Sequence, residues 1–191
     1  MRASFIARNR TGRPVPPLAR MLRGGRGGQV RLKLYLSFLW LQTDEEGVPL
    51  AFPAQVWAQL LDLDHPDTAG ARRIREAQAW LESNKFITVQ AQPGLANRVT
   101  VLNETGGADP GPYLVPGAAA RAQRNKPGPS PHRYVQIPQE FWTSGYMAVL
   151  SGAGVALYLI LLDQYSRYHR QDPPASVWFS PAAFRDLYGL S

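Results

Sequence analysis

The stretch TAGARRIREAQAWLESNKFITVQAQPGLANRVTVL, residues 68–102, decides the fold predicted for this chain of 191 residues. Four of its residues recur at the i, i+3, i+4, i+7 spacing of one helix face: Ile74, Ala77, Gln78 and Leu81. This period predicts a helix that continues to about residue 84, with Asp67 or Thr68 capping its first turn. Two runs rich in β-branched residues, FITVQA and RVTVLN, follow on either side of a Pro-Gly pair, which predicts a β-hairpin.

Two further helices are predicted upstream of this stretch. The run VRLKLYLSFLWL, residues 30–41, is apolar on most sides, so we expect a helix that is covered on several faces. A shorter helix begins at Pro53, because the missing N–H of proline is harmless in a first turn. Its expected apolar face consists of Val56, Trp57, Leu60 and Leu61. The predicted order over residues 30–105 is therefore helix, helix, helix, hairpin.

The second half of the chain repeats part of this order. Leu34-Tyr35-Leu36 matches Leu157-Tyr158-Leu159, and the aromatic and leucine positions of the second helix match Phe179, Phe184, Leu187 and Leu190. The apolar run at 147–162 is shorter than the about 20 residues that span a bilayer. We therefore expect it to form a core helix, with Ser151 as its N-cap. The second copy ends before a third helix, so we expect the natural chain to continue beyond Ser191.

Positive charge is concentrated in two segments without apolar periodicity. The formal net charge is +7 and the pI is about 10.0. Residues 1–33 carry nine basic groups and residues 110–133 carry four, with no acid in either segment. Such an excess indicates a polyanionic partner. The predicted organisation is a disordered basic arm (1–29), a first unit (30–105), a basic Pro/Gly-rich linker (106–133) and a partial second unit (134–191).

Several classes of site are excluded or unsupported by the sequence. The chain has no cysteine, which excludes disulfides, thiolate metal sites and a cysteine nucleophile. GGRGG lacks the Gly-Lys-Ser/Thr ending of a phosphate loop, and neither a Gly-x-Ser-x-Gly motif nor a histidine pair at metal spacing is present. We expect no enzymatic activity, no cofactor and no metal. The N-terminus has no secretory h-region, so we expect a cytoplasmic, nucleoid-associated protein without a membrane segment.

The order of elements resembles the winged helix, a helix-turn-helix variant. The resemblance is carried by the capped start at Thr68, the pair Trp80-Leu81, the hairpin entry Lys85-Phe86-Ile87 and the tip Pro93-Gly94. The whole chain resembles tandem winged-helix DNA-binding proteins, such as bacterial plasmid replication initiators and actinobacterial-type regulators. The resemblance implies a mainly α fold with small β-hairpins (α+β), in which the second winged helix is incomplete at the C-terminus. It also implies a role in replication initiation of a plasmid or mobile element, or in transcription regulation.

A double-stranded DNA interface is expected on the third helix and the hairpin. At 100° per residue, Arg72 points directly away from the apolar stripe, and Arg73 and Arg75 flank it. Arginine binds guanine edges and phosphates with two parallel hydrogen bonds. The expected contacts on the folded unit are Thr68, Arg72, Arg73, Arg75, Lys85, Gln92, Asn97 and Arg98. Backbone phosphates are expected to meet the arm at Arg20, Arg23, Arg26 and Arg31.

Three alternatives stay open from the sequence. The arginines of the third helix are also compatible with a solvated face paired to Glu76 or Glu82. A protein–protein module of a chromosome-condensing or segregation complex would place Phe141, Trp142 and Tyr146 in an interface, and a homodimer or protein partner is compatible with either function. The Arg-Gly-Gly repeat at 23–28 resembles RNA- or single-strand-binding segments.

Overall fold

The apolar run at 30–41 forms the central helix of the protein. The computed structural model describes residues 1–8, 14–23, 27–42, 48–104, 110–115, 118, 133–168 and 176–190. In chain order the elements are helices α1 (Ala3–Ile6), α2 (Pro17–Leu22), α3 (Gly27–Leu41), α4 (Ala54–Leu60) and α5 (Ala71–Ser83), strands β1 (Ile87–Gln90) and β2 (Arg98–Val101), and helices α6 (Glu140–Thr143), α7 (Tyr146–Val149), α8 (Gly152–Tyr168) and α9 (Pro181–Tyr188). This mainly helical fold with a small antiparallel sheet confirms the predicted α+β class.

Helix α3 is covered on several faces, as its composition predicts. It packs against α2, α5 and α8, which lie in different parts of the sequence. Its fully buried side chains include Leu32, Leu34, Tyr35, Leu36 and Phe38. A helix that is apolar all round needs such complete cover, because each exposed apolar side would lose burial free energy. The same hydrophobic core includes residues of both predicted units.

The prediction of a disordered arm over residues 1–29 is wrong for the part of this segment that the structure describes. Helices α1 and α2 contribute Phe5, Ile6, Leu18 and Met21 to the core as fully buried side chains. The ring of Phe5 stacks on Tyr35 of α3 at a centroid distance of 5.7 Å. The glycines at the start of α3 are not a spacer there, since a Cβ on Gly28 would lie 2.7 Å from the carbonyl oxygen of Leu22. The physical reason is that α1 and α2 bury apolar faces of α3. The composition of residues 1–29 alone does not indicate this.

The first residues also connect the two halves of the chain. The backbone N–H of Ala3 donates to the carbonyl of Arg133 at 2.8 Å, and that of Val135 donates to Met1 at 2.8 Å. Arg2 is buried and forms an ion pair with the fully buried carboxylate of Glu104. This buried pair holds the N-terminus against the segment that follows the hairpin.

The linker predicted over 106–133 lies largely outside the described residues. Its described part, 110–115, runs beside β2, where the N–H of Tyr113 donates to Val101 at 3.2 Å. The N–H of Asn103 donates to the carbonyl of Gly111 at 2.8 Å. This part of the segment therefore extends the sheet edge instead of forming a free linker.

A tight turn joins α4 to α5. Asp62 and His65 have left-handed backbone angles, with φ of 51° and 49°. A π-helical turn, Pro66–Gly70, then continues directly into α5. The N-cap predicted at Asp67 or Thr68 is wrong, because both residues lie inside this continuous helical segment and no side chain caps its start. Helix α4 begins one residue after Pro53.

The predicted faces of α4 and α5 are largely confirmed. Trp57 and Leu61 are buried, whereas Val56 is 40% exposed and does not belong to the apolar face expected for it. All four residues of the α5 stripe are buried: Ile74, Ala77, Gln78 and Leu81. Because α5 packs against both α3 and α4, its opposite face is left to solvent.

The β-hairpin forms as predicted, with shorter strands. Ile87 pairs with Val101, and Gln90 pairs with Arg98, in an antiparallel register. Leu50, between α3 and α4, exchanges two backbone hydrogen bonds with Val99, at 2.8 and 2.9 Å. One face of the hairpin is buried against α3, so the turn between the strands projects away from the core.

The second half places a long helix in the core, as expected. The hydroxyl of Ser151 accepts from the N–H of Gly154 at 3.1 Å, which confirms the predicted N-cap of α8. Val155, Leu159 and Ile160 are buried. Throughout the described ranges, we find no helix with the length and apolar character required to cross a membrane.

The helix order of the first unit partly recurs here. Helix α8 is followed by an aromatic residue, Phe179, then by Pro181 and α9, as α3 is followed by Phe52, Pro53 and α4. Residues 169–175, in the loop of the second copy, lie outside the described residues, as does Ser191.

Two of the aromatic residues that a protein–protein module would place in an interface are core residues. Phe141 and Trp142 are buried, so these two side chains do not support that alternative. Trp142 stacks on Trp40 at 5.0 Å, and its indole N–H donates to the hydroxyl of Ser37 at 3.2 Å. Through these contacts α6 packs against the C-terminal part of α3.

Candidate nucleic-acid interface

Helix α5 presents two of the predicted arginines to solvent. The side chain of Arg72 is 71% exposed, and Arg75 is also exposed. Arg72 lies opposite the buried stripe that anchors α5 on α3 and α4, and Arg75 lies on one flank of the exposed face. The orientation predicted from helical periodicity is therefore confirmed for these two residues. Arg73 is half-buried on one flank of the helix.

The same face carries acidic groups. Glu76 lies 3.7 Å from Arg72, measured from Oε1 to Nε, in an exposed i,i+4 pair. A surface pair of this kind is weak and does not fix the arginine in place. Glu82 is also exposed, but its Oε1 accepts from the N–H of Val89 at 2.8 Å and ties α5 to β1. The basic part of the face is thus its N-terminal half.

The other predicted contacts lie before α5, at Thr68, and after it, in the α5–β1 turn and the hairpin. Thr68, Lys85, Asn97 and Arg98 are exposed, and Gln92 is half-buried. Lys85 sits in the α5–β1 turn with φ of 62°. In one of its two amide orientations, Gln92 accepts from the Nε of Arg98 at 3.3 Å. Thr68 precedes the N-terminal end of α5, whereas Lys85 and the hairpin follow its C-terminal end.

Two arginines of the expected arm have internal partners instead. The guanidinium of Arg20 lies 5.4 Å from the ring centre of Phe86 and donates to Oδ1 of Asn84 at 3.1 Å. Arg31 lies 4.7 Å from the ring centre of Trp80. These contacts join α2 and α3 to α5 and the start of the hairpin. The segment that carries these two arginines is folded, so they do not belong to a free arm.

The remaining arm arginines differ. Arg23 is exposed, and one of its terminal nitrogens donates to the carbonyl of Gly189 at 3.2 Å. Arg26 lies outside the described residues.

A basic cavity lies beside α5, and sequence reasoning did not find it. Its volume is about 810 Å³, and its walls come from α2, α5, α9 and the N-terminal end of α8. Four arginines line it: Arg8, Arg23, Arg73 and Arg185. None of the ion pairs formed within the described part of the chain uses these four residues. Arg8 and Arg185 stand near opposite ends of the sequence, so no local pattern indicates that they meet.

The arrangement suits anion binding by guanidinium groups. No group of three His, Asp or Glu side chains suited to a metal is present among the residues that the structure describes. The exposed arginines of α5 and the four arginines of the cavity form two neighbouring basic surfaces, with Arg73 on the helix common to both. No family model, curated protein or solved structure matches this chain.

Proposed function

We propose that this protein binds double-stranded DNA as a tandem winged-helix protein. Helix α5 acts as the recognition helix and the β1–β2 hairpin as the wing. The observation that carries the proposal is the order α3, Leu50–Val99 bridge, α4, α5 and hairpin, with Arg72 and Arg75 exposed on the first half of α5. Helix-turn-helix proteins place the N-terminal residues of the second helix of the motif against base edges in the major groove.

The positions of the polar groups support base contacts by α5 and backbone contacts by the hairpin. Arg72 and Arg75 lie in the first half of α5, where bidentate contacts to guanine discriminate between bases. Asn97 and Arg98 lie at the base of the hairpin turn, where they suit backbone contacts. Because the carboxylate of Glu76 lies 3.7 Å from Arg72 on this face, we expect modest affinity for DNA of random sequence.

The biological role is proposed from the sequence resemblance. We propose that the protein acts in the cytoplasm at the nucleoid, in replication initiation of a plasmid or mobile element or in transcription regulation. It does so as a binding protein without catalytic activity or cofactor. The exposed groups that support the proposal are hydrogen-bond donors suited to base edges and phosphates.

The first experiment selects duplexes from a random library and measures their affinity by fluorescence anisotropy. The variant Arg72→Ala/Arg75→Ala is expected to lose about tenfold or more in affinity per arginine for the selected duplex. The matched control, Arg72→Lys/Arg75→Lys, keeps the charge but lacks the planar fork, so it retains non-specific binding and loses base discrimination. Equal affinity of the alanine variant and the wild type for the selected duplex would contradict the proposal. A preference for single strands or RNA would favour the RNA alternative.

A second candidate function is a protein-interaction module. It is favoured by exposed apolar side chains in the second half, among them Tyr146, Val149 and Leu157. Salt distinguishes the two functions, because phosphate contacts weaken steeply with added salt and an apolar interface does not. Binding to a protein partner that survives high salt and is lost in Tyr146→Ala/Val149→Ser would support this second function.

A further inference from the structure

We propose that the cavity between α2, α5, α8 and α9 is a binding site for consecutive phosphate groups, such as those of a polyphosphate chain or a nucleic-acid backbone. For a nucleic-acid backbone the inference rests on the proposed function, whereas for a free polyphosphate it stands independently. Its four arginines come from the N-terminal segment, the candidate recognition helix and the last helix of the second half: Arg8, Arg23, Arg73 and Arg185.

The positive charge of the cavity favours the binding of an anion. Arginine stays protonated at every physiological pH, so the four guanidinium groups repel one another across the cavity. Within the described residues, no carboxylate forms an ion pair with any of them. An entering phosphate replaces this repulsion with attraction, and charges gathered along one cleft raise the local concentration of such ligands.

The guanidinium groups are partly fixed before any ligand enters. One terminal nitrogen of Arg8 donates to the carbonyl of Asp186 at 3.2 Å, and Arg23 donates to Gly189 at 3.2 Å. Each contact uses one of the five N–H groups of the side chain and leaves the others as donors. The Nε of Arg8 is buried and has no hydrogen-bond partner in the described structure. Neutral carbonyls therefore orient Arg8 and Arg23 without neutralising them.

The shape favours a ligand with several phosphates. A volume of about 810 Å³ lies within the range of ligand sites, about 300–1,000 Å³, and exceeds the need of a single phosphate. The N-terminus of α8 contributes little, since the N–H of Gly152 donates to Oε1 of Gln29 and that of Gly154 donates to Ser151. The arginines therefore carry the recognition, and their fork geometry matches phosphate oxygens bidentately.

The first test uses inorganic triphosphate as the probe, titrated calorimetrically into the full chain at constant ionic strength. We expect binding by the wild type and about tenfold or greater weakening in Arg23→Ala/Arg185→Ala, because charge-assisted bonds are the strong contacts of such a site. Both residues are exposed, so these substitutions spare the core. The control Arg75→Ala/Arg98→Ala removes the same charge from α5 and the hairpin, and it is expected to bind triphosphate as the wild type does.

The second test identifies the source of the phosphates, using a 30-base-pair duplex of random sequence. If the cavity holds a DNA backbone, the slope of log affinity against log salt falls by about 0.9 for each lost phosphate contact in Arg23→Ala/Arg185→Ala. Loss of triphosphate binding with an unchanged DNA slope assigns the cavity to a free polyphosphate-bearing ligand. A reduced DNA slope without triphosphate binding assigns it to the backbone.

The inference is overturned if Arg23→Ala/Arg185→Ala equals the wild type in both titrations. That result is distinct from failure of the proposed function, in which the wild type binds no duplex at all. In that case the triphosphate titration alone decides the inference, and the absence of triphosphate binding by the wild type then overturns it.

Discussion

The N-terminal segment (residues 1–33) and the α5–hairpin region are both rich in arginine, but Arg2, Arg20 and Arg31 of the first have partners inside the fold. In the N-terminal segment, Arg2 pairs with buried Glu104, while Arg20 and Arg31 lie over aromatic rings. In the second region, Arg72 and Arg75 point into solvent. The count of basic groups in a segment therefore does not give the charge available to a ligand. The surrounding apolar surface decides whether an arginine holds the fold together or meets a partner.

The largest effect is expected from removing an apolar anchor of the N-terminal segment. Phe5→Ala should lower the free energy of unfolding by about 3–5 kcal/mol, since Phe5 is fully buried and stacks on Tyr35. Urea denaturation measures the loss. The control Leu95→Ala, at a side chain that is 73% exposed, should change stability by no more than about 0.5 kcal/mol. If both variants were equally stable, the segment would be a free arm after all.

The next largest effect concerns the buried ion pair of Arg2 and Glu104, which we expect to stabilise the fold. Glu104→Leu leaves the guanidinium of Arg2 buried without its carboxylate, which should cost about 3 kcal/mol of unfolding free energy. The double variant Arg2→Met/Glu104→Leu should recover most of that loss, because neither charge is then buried. The cycle is measured by urea denaturation of the wild type, both single variants and the double variant. Additive losses would show that the pair is not coupled.

The same two regions show which features can be predicted from the sequence and which depend on the tertiary fold. The stripe from Ile74 to Leu81 and the hairpin are encoded by local period and turn residues, and both formed as predicted. The burial of Phe5 and Leu18 depends on α3 being apolar on every side, which is a property of another segment. The cavity depends on Arg8 and Arg185, which only the tertiary fold brings together.

A pH titration tests the burial of the N-terminal side of the core. Burial raises the pKa of Tyr35 well above its usual 10.0 and also raises the pKa of Tyr113. Above pH 10 the unfolded chain therefore loses these protons first, and stability should fall as pH rises, by up to about 1.4 kcal/mol per pH unit for each tyrosine. Burial lowers the pKa of Lys33, which contributes in the opposite direction, but only below 10.5.

The measurement is the free energy of unfolding between pH 10.5 and 12 for the wild type and Tyr113→Phe, since the contribution of Lys33 is common to both proteins and cancels in their comparison. Tyr113→Phe should reduce the slope against pH without changing its sign, because Tyr35, Tyr134 and Tyr158 also have a raised pKa and remain. A slope unaffected by Tyr113→Phe would show that this phenol ionises equally in the folded and unfolded states. The tyrosinate absorbance of the folded protein gives an independent check.

Two single substitutions, one in each region, test whether an arginine contributes to stability or to duplex binding. Arg31→Ala should lower stability by about 1 kcal/mol, because it removes the contact of the guanidinium with Trp80. Arg75→Ala should leave stability unchanged and weaken duplex binding. Thermal unfolding and fluorescence anisotropy are measured on both variants. If Arg31→Ala weakened duplex binding as much as Arg75→Ala at unchanged stability, the two arginines would share one role.

The smallest effect decides between the interface and a solvated face on α5. Glu76 forms only an exposed contact with Arg72, so Glu76→Gln should change the free energy of unfolding by no more than about 0.5 kcal/mol. If α5 enters a DNA groove, losing this carboxylate removes repulsion from nearby phosphates, and duplex affinity should rise several-fold at low salt. The gain should shrink as salt is added, because screening weakens exposed charges. A merely solvated face gives no change in affinity at any salt, and the arginines opposite the core stripe would then have no role in binding DNA.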